Sequence, residues 1–502
     1  MLTKTRSAML HSTLLFLAAL PLTKALTIIP RAPTTTKKII VQMFEWTYGL
    51  VAAECGYSLG TSGVGFVQVS PAQENWNGGG VWWDSYQPES YNIAGKHGDR
   101  TSFANMVTTC HNNGVGVIVD TVMNHQDRRP KRLGQAMLET HPLNMSTLAP
   151  TSIRTFITRN VSFISVYSET SDCTLIFVLP GGSANGQVNN YDNATEVQFC
   201  ELDGLADLAT ETECVRARLA EYLNDLISLG VDGLRLDSAK HIPVADISNI
   251  TSRMSKTLYI TQEVIYGAGE PITPNQYVVI GDVQEFRFTT TVLSAFSSGN
   301  IAQLQSVPLS GWVAPSGANS FVVTDHDTER NGNSLNYLSP NNEYTLAHIY
   351  SLTSPYGTPT ILSSYTFSDI NIEAPNSGYG ACYGAGGVNG WLCQHRWTAI
   401  AGMIGFYNQV GSSTVVNWLS DASNHIAYGR GALGHVGINL ASSSWTASFT
   451  TSLPSGTYCD VVHGSISGTT CSGAIITVSN GAFTTTVNAY DGFGIHTGAK
   501  IS

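Results

Sequence analysis

The sequence predicts an α/β chain: a (β/α)8 TIM barrel with an inserted domain after strand 3 and a C-terminal antiparallel β-sandwich. Three observations carry this. Eight short apolar runs alternate with helix-compatible stretches between positions 39 and 365. About a hundred residues rich in Asn, Gly, Ser and Thr separate the third run from the fourth, too many for an ordinary connection. From Gly411 the pattern changes to short alternating segments divided by turn residues, the signature of an antiparallel β domain.

The elements follow in order. Lys4 and Arg6 precede an apolar stretch at 13–22 and a small residue, Ala25, so residues 1–25 read as a secretory signal and the protein as secreted. The strand candidates are IIVQMFEW (39–46), GFVQVSPA (65–72), GVIVDTVMNH (116–125), GLRLDSA (233–239), YITQEVI (259–265), VVIGDVQEF (278–286), SFVVTDHD (320–327) and TPTILSSY (358–365). Each is nearly continuous in apolar residues, as parallel strands covered on both faces require. The expected domains are barrel 26–125, inserted domain 126–206, barrel 207–410 and sandwich 411–502.

Composition narrows the function. Hydrophobic residues make up 42 % and charged residues 12 %, which excludes a disordered chain. A net charge of −11 argues against nucleic acid or an anionic membrane as partner, and a monomer is expected. Nine cysteines without a CxxC pair fit disulfides in an oxidising compartment rather than structural zinc. The odd count leaves one thiol over, expected at Cys214 in the helical stretch ECVRARLAEYLNDLISLG. Asn144, Asn160, Asn193 and Asn249 stand in glycosylation sequons.

A barrel gathers the C-terminal ends of its strands on one rim, and here those ends are polar. Strand three ends in Asp120, Asn124 and His125; strand four carries Arg235 and Asp237, followed by Lys240 and His241; strand five ends in Glu263; strand seven ends in His326 and Asp327. One such residue is explained by a surface loop, but carboxylates from four strands on one rim suit glycosidic bond cleavage. Arg235 and Asp237, two apart on a strand, share a face, and the guanidinium would keep Asp237 ionised as a nucleophile. Glu263 follows a run with few charges, where a carboxyl can stay protonated. Asp327 could orient sugar hydroxyls and stabilise a cationic transition state. The glycine-flanked loop after strand two offers Trp82, Trp83 and Tyr86 as flat faces for sugars.

These residues resemble the α-amylase family, in its animal-type secreted branch. The signatures DTVMNH (120–125), GLRLDSAKH (233–241), EVI (263–265) and TDHD (324–327) occur in order, and WWDSYQPESY, NHIAYGRG and LPSGTYCDVV extend the likeness over nearly the whole chain after the signal. The resemblance implies an enzyme that hydrolyses internal α-1,4-glucosidic bonds of starch and glycogen with retention. It implies Asp237 as nucleophile, Glu263 as general acid/base and Asp327 as transition-state stabiliser. His125, His326, Arg235 and Tyr86 would surround the sugar at the cleavage point, Trp82, Trp83 and Tyr191 would line neighbouring subsites, and Lys240 and His241 would face the leaving group. It implies a structural Ca2+ held by Asn124 and Asp207 side chains and by carbonyls of Gln198 and His241. It also implies disulfides Cys55–Cys110, Cys173–Cys200, Cys382–Cys393 and Cys459–Cys471, with Cys214 unpaired.

The sequence departs from the family in two places. Many animal-type members bind chloride through two arginines and an asparagine. Arg235 matches one arginine, but Asp325 stands at the asparagine position and Thr360 near the second arginine. A carboxylate there would repel the anion, so chloride is expected to be absent. The loop TERNGNSLNYLSPNNEY (328–344) replaces the family's Gly-rich segment with its extra histidine, so the resemblance carries no substrate role onto it. A silent binding protein on the same scaffold would have lost a catalytic carboxylate, and all three stand here.

Overall fold

The structure, a computed structural model, describes residues 38–127, 183, 186–321, 325–375 and 381–502. The expected signal segment, most of the expected inserted domain, Cys173, Asn144 and Asn160 lie outside them.

Eight parallel strands close a barrel: β1 (Ile40–Met43), β2 (Phe66–Val69), β3 (Gly116–Val122), β4 (Gly233–Asp237), β5 (Tyr259–Gln262), β6 (Asp282–Gln284), β7 (Ala318–Phe321) and β8 (Thr358–Ser363). Neighbours in the sheet are neighbours in sequence, and β8 pairs with β1 through Ile40↔Thr360. The residues of β1, β2, β4 and β8 are all buried, which explains their largely apolar character and makes the polar residues they carry, Arg235 and Asp237 among them, stand out. Helices such as Arg100–Asn112, Glu213–Ser228 and Phe286–Ser297 pack outside. All three begin on side-chain caps that satisfy otherwise orphaned N–H groups: Asp99 accepts from Ser102 N, Thr212 from Val215 N and Glu285 from Arg287 N.

Two strands are shorter than the sequence suggests. The run 278–286 starts at Val278, the C-cap of the helix Pro274–Tyr277, and ends at Phe286, the first residue of the next helix, so β6 keeps only three residues. The run 320–327 turns helical after β7. His326–Asn331 forms a short helix, and Asp325 caps it by accepting from Thr328 N and Oγ1, each at 2.7 Å. The Asp-x-x-Thr spacing is a capping box, so His326 and Asp327 sit on a helical first turn rather than a strand end.

The tail forms an antiparallel four-stranded sheet, in the order Val415–Leu419, His425–Arg430, Gly434–Asn439, Asp491–His496. Two further antiparallel pairs, Trp445–Thr450 with Ala482–Val487 and Gly456–Cys459 with Ile475–Val478, complete its core around Trp445, Phe449, Phe483 and Phe493. Arg430 and Tyr428 anchor this unit to the barrel, with Tyr428 Oη 2.5 Å from Thr353 Oγ1.

Cys55–Cys110, Cys382–Cys393 and Cys459–Cys471 are bonded as expected. The remaining expectation is corrected. Cys214 is disulfide-bonded, and among the described residues the buried free thiol is Cys200, which rules out the expected Cys173–Cys200 bridge. Cys200 ends the helix Ala194–Phe199, and its sulfur faces Ser183 Oγ at 3.9 Å. Cys200 is buried just past a helix and Cys214 is half-buried within one, and residue counting alone could not separate them.

Candidate active site

The C-terminal rim of the barrel opens into a cleft of about 780 Å³. Beneath it lies Arg235, on β4 and 1 % exposed. The guanidinium is an acid-binding hub: Nη1 donates to Asp120 Oδ1 at 2.9 Å and to Asp237 Oδ1 at 2.6 Å, and Nη2 lies 3.0 Å from Glu263 Oε1. The β3–β4 register sets Asp120 opposite Arg235, and Asp237 lies two residues on, at the rim. Glu263 is the first residue beyond β5.

Just past β4, Ser238 adopts the left-handed region at φ 48° and ψ 32°. That turn lets its N–H donate to Glu263 Oε2 at 2.8 Å and its hydroxyl donate to Asp237 Oδ2 at 2.9 Å. The two carboxyls therefore share two ligands and differ in protonation. Burial penalises the charge on both. At Asp237 the charges of Arg235 and His125 and the Ser238 hydroxyl outweigh it, and the carboxyl is held below its ordinary value. At Glu263, burial and the charges of Asp237 and Asp327 outweigh Arg235, and the carboxyl is pushed well above it. Burial likewise lifts Asp327 to about 6 and Asp120 to about 7. One guanidinium cannot hold four neighbouring carboxylates ionised.

Histidines and aromatics line the walls. Tyr86 donates to Asp120 Oδ2 at 3.0 Å and stacks on His326 at 5.0 Å between ring centroids. Gln42 Nε2 donates to His326 Nδ1 at 3.0 Å, which leaves the proton on Nε2, 3.5 Å from Asp327 Oδ2. Burial and the Arg235 charge lower His326 to about 4, so it is neutral at ordinary pH. His125 Nε2 donates to the Tyr86 carbonyl at 3.0 Å. Across the cleft, Lys240 ion-pairs with Glu270, donates to the Ile265 carbonyl at 2.8 Å, and sits 4.9 Å from the Tyr191 ring centroid.

A model of the alpha amylase catalytic domain matches residues 69–263, and one of the alpha amylase C-terminal all-beta domain matches 416–497. An alpha-amylase of Streptomyces violaceus is 39 % identical over 472 residues, 93 % of this chain and 75 % of that one. An alpha-amylase-related protein of Drosophila ercepeae is 34 % identical, covering 89 % and 90 %. The crystal structure of alpha-amylase I from Eisenia fetida superposes with a TM-score of 0.78 at 27 % identity, covering 93 % and 98 %. The chain belongs to the α-amylase family. It is a glycoside hydrolase of the α-amylase type.

The cleft of this α-amylase-family chain brings together Trp82, Trp83, Tyr86, His125, Tyr191, Asp237, Lys240, His241, Glu263, His326 and Asp327, with Arg235 directly beneath. Residues that the sequence did not single out for the site are Ser238, Gln42 and Glu270. Their signal is geometric: a left-handed turn, a cross-strand amide and a salt bridge between loops.

The four residues expected around calcium lie beside the cleft. Asn124 precedes a two-stranded ladder in which His125 pairs with Asp207, and Leu208 N donates to the Asn124 carbonyl. His241 donates from Nδ1 to the Val197 carbonyl at 2.9 Å, and Gln198 Nε2 donates to Tyr277 Oη at 3.1 Å. Asp207 is 5 % exposed; burial and the like charges of Glu211 and Glu201 drive it up to about 9. A buried acidic oxygen surrounded by its own sign fits a hard cation.

Proposed function

We propose that this protein is a secreted, endo-acting α-amylase that cleaves internal α-1,4-glucosidic bonds of starch and glycogen with retention of configuration. The observation that carries the reading is the opposite displacement of two carboxyls held by one guanidinium and one serine: Asp237 ionised, Glu263 protonated. A retaining glycosidase needs that pair, roughly 5 Å apart, and shared ligands favour so short a separation.

In this reading Glu263 gives its proton to the glycosidic oxygen as Asp237 attacks the anomeric carbon, and the bond to the leaving chain breaks. Glu263, now ionised, then takes a proton from water, which displaces Asp237 and restores both groups. Asp327 and the neutral His326 contact the sugar hydroxyls and oppose the developing positive charge. Trp82, Trp83, Tyr86 and Tyr191 offer faces to neighbouring glucosyl units, while Lys240 and His241 face the departing chain. The crystal structure of a variant of the Eisenia fetida enzyme in complex with maltohexaose is similar to this chain, with a TM-score of 0.76, which supports an α-glucan as substrate. Asn124 and Asp207 side chains, with carbonyls of Gln198 and His241, would hold a calcium ion that neutralises buried charge beside the cleft. Disulfides and the signal-like start support secretion.

The test is digestion of soluble starch by the wild type and Glu263→Gln, with the anomer of the first product followed by NMR. The expected result is α-anomer release and a loss of about 10³-fold or more in the variant. Equal activity of the two would refute the assignment.

A further inference from the structure

The loop after β8 grips both cleft tryptophans by their indole nitrogens. Trp82 Nε1 donates to the Ile370 carbonyl at 2.9 Å, and Trp83 Nε1 donates to Asn371 Oδ1 at 3.3 Å. The Asn371 amide is itself oriented. Asp369 Oδ1 accepts from its Nδ2 at 3.3 Å and from its backbone N at 2.9 Å, so the carbonyl end turns to the indole. The backbones are also joined, by Trp82 N donating to the Asn371 carbonyl at 3.3 Å and by a Val81–Ile372 bridge.

Beneath this junction lies one ammonium group. Lys96 Nζ is 2.8 Å from Glu45 Oε2 and 3.4 Å from Glu373 Oε1, and it donates to the Val81 and Trp82 carbonyls at 3.1 and 3.4 Å. Its side chain is 7 % exposed. It therefore links the end of β1, the tryptophan loop and the loop after β8.

Trp83 remains 37 % exposed, beside Ile370 and Ile372 at 53 % and 42 %. An exposed indole with no such tether turns freely about two side-chain angles, and stacking on a sugar needs a fixed plane. We propose that residues 369–373, clamped by Lys96, determine chain-length preference: Asn371 is a positioning residue that fixes the Trp83 plane for glucosyl units distant from the cleavage point. The inference rests on the reading of the cleft as an α-glucan site.

The experiment measures KM and kcat on maltotetraose and maltoheptaose for the wild type, Asn371→Ala, Trp83→Ala and the double variant. Asn371 is exposed, so its replacement leaves the core intact. Asn371→Ala is expected to raise KM for maltoheptaose about 3- to 10-fold, with kcat within about twofold and a smaller change on maltotetraose. In the Trp83→Ala background it should add less than about twofold, because its route of action is already gone. A wild-type KM for Asn371→Ala, or effects that multiply in the double variant, overturns the inference. A wild type that cleaves neither oligosaccharide instead overturns the functional reading on which it rests.

Discussion

Ser238 donates its backbone N–H to Glu263 at 2.8 Å from a left-handed turn, φ 48°. A side chain in that region costs about 1 kcal/mol, which the two hydrogen bonds to the carboxyl pair offset. Ser238→Ala keeps the N–H and deletes the hydroxyl that helps hold Asp237 down. The Asp237 carboxyl then rises, and the acid limb of kcat/KM is expected to move to higher pH while the basic limb stays in place. A pH–rate profile checks this; an unmoved acid limb contradicts it.

Much of this site is legible in sequence because strand ends are local. Asp237 and Arg235 need only the two-residue period of a strand, and Glu263 only the end of an apolar run. What binds them is not local. Gln42 meets His326 from 284 positions away, and Lys96 finds Glu45 and Glu373 across three loops. The helical placement of His326 and Asp327 was written in the Asp325–Thr328 spacing, but the apolar run before it reads more strongly as strand. Thiol pairing around Cys200 and Cys214 depends on which sulfur meets a partner distant in sequence, which composition does not encode.

A second prediction concerns acid stability. Glu54, buried against the barrel wall, accepts from His395 Nε2 at 2.8 Å and from Arg396 Nε and Nη2 at 2.6 Å each. Burial alone would raise its carboxyl, but these partners outweigh it and hold it at about 2. The unfolded chain's glutamate titrates near 4.3, so the folded value is the lower one. The stability contributed is complete above about pH 4.5 and is lost as pH falls towards 2. Glu54→Gln should cost about 3 kcal/mol at pH 7 and flatten the acid limb of the melting-temperature curve. A variant with the wild-type acid profile would be inconsistent with this role.

Calcium removal gives a third. EDTA is expected to lower the melting temperature by roughly 5–10 °C, and added calcium should restore it. Asp207→Asn should respond to neither reagent. An EDTA-insensitive wild type would mean that the Asn124–Asp207 site holds no ion of consequence.

Chloride gives a fourth. Arg235 is already shared by Asp120, Asp237 and Glu263, and an Asp325 carboxylate oxygen comes within 4.8 Å of those of Glu263 and Asp327. An anion would have to displace carboxyl oxygens that already occupy the guanidinium, beside the ionised Asp237. Dialysed enzyme should therefore work equally well with and without added chloride; activation of tenfold or more would require another cation at the site.

The pairing of β1 with β8 has a consequence for how the protein is made. Gln42 cannot orient His326 until position 326 has been synthesised, nor Ile40 find Thr360 until position 360 has. A nascent chain that already carries Asp237 and Glu263 thus lacks a sealed barrel and an ordered rim. Hydrolytic power should switch on late and all at once during synthesis, after slow long-range closure rather than by gradual gain.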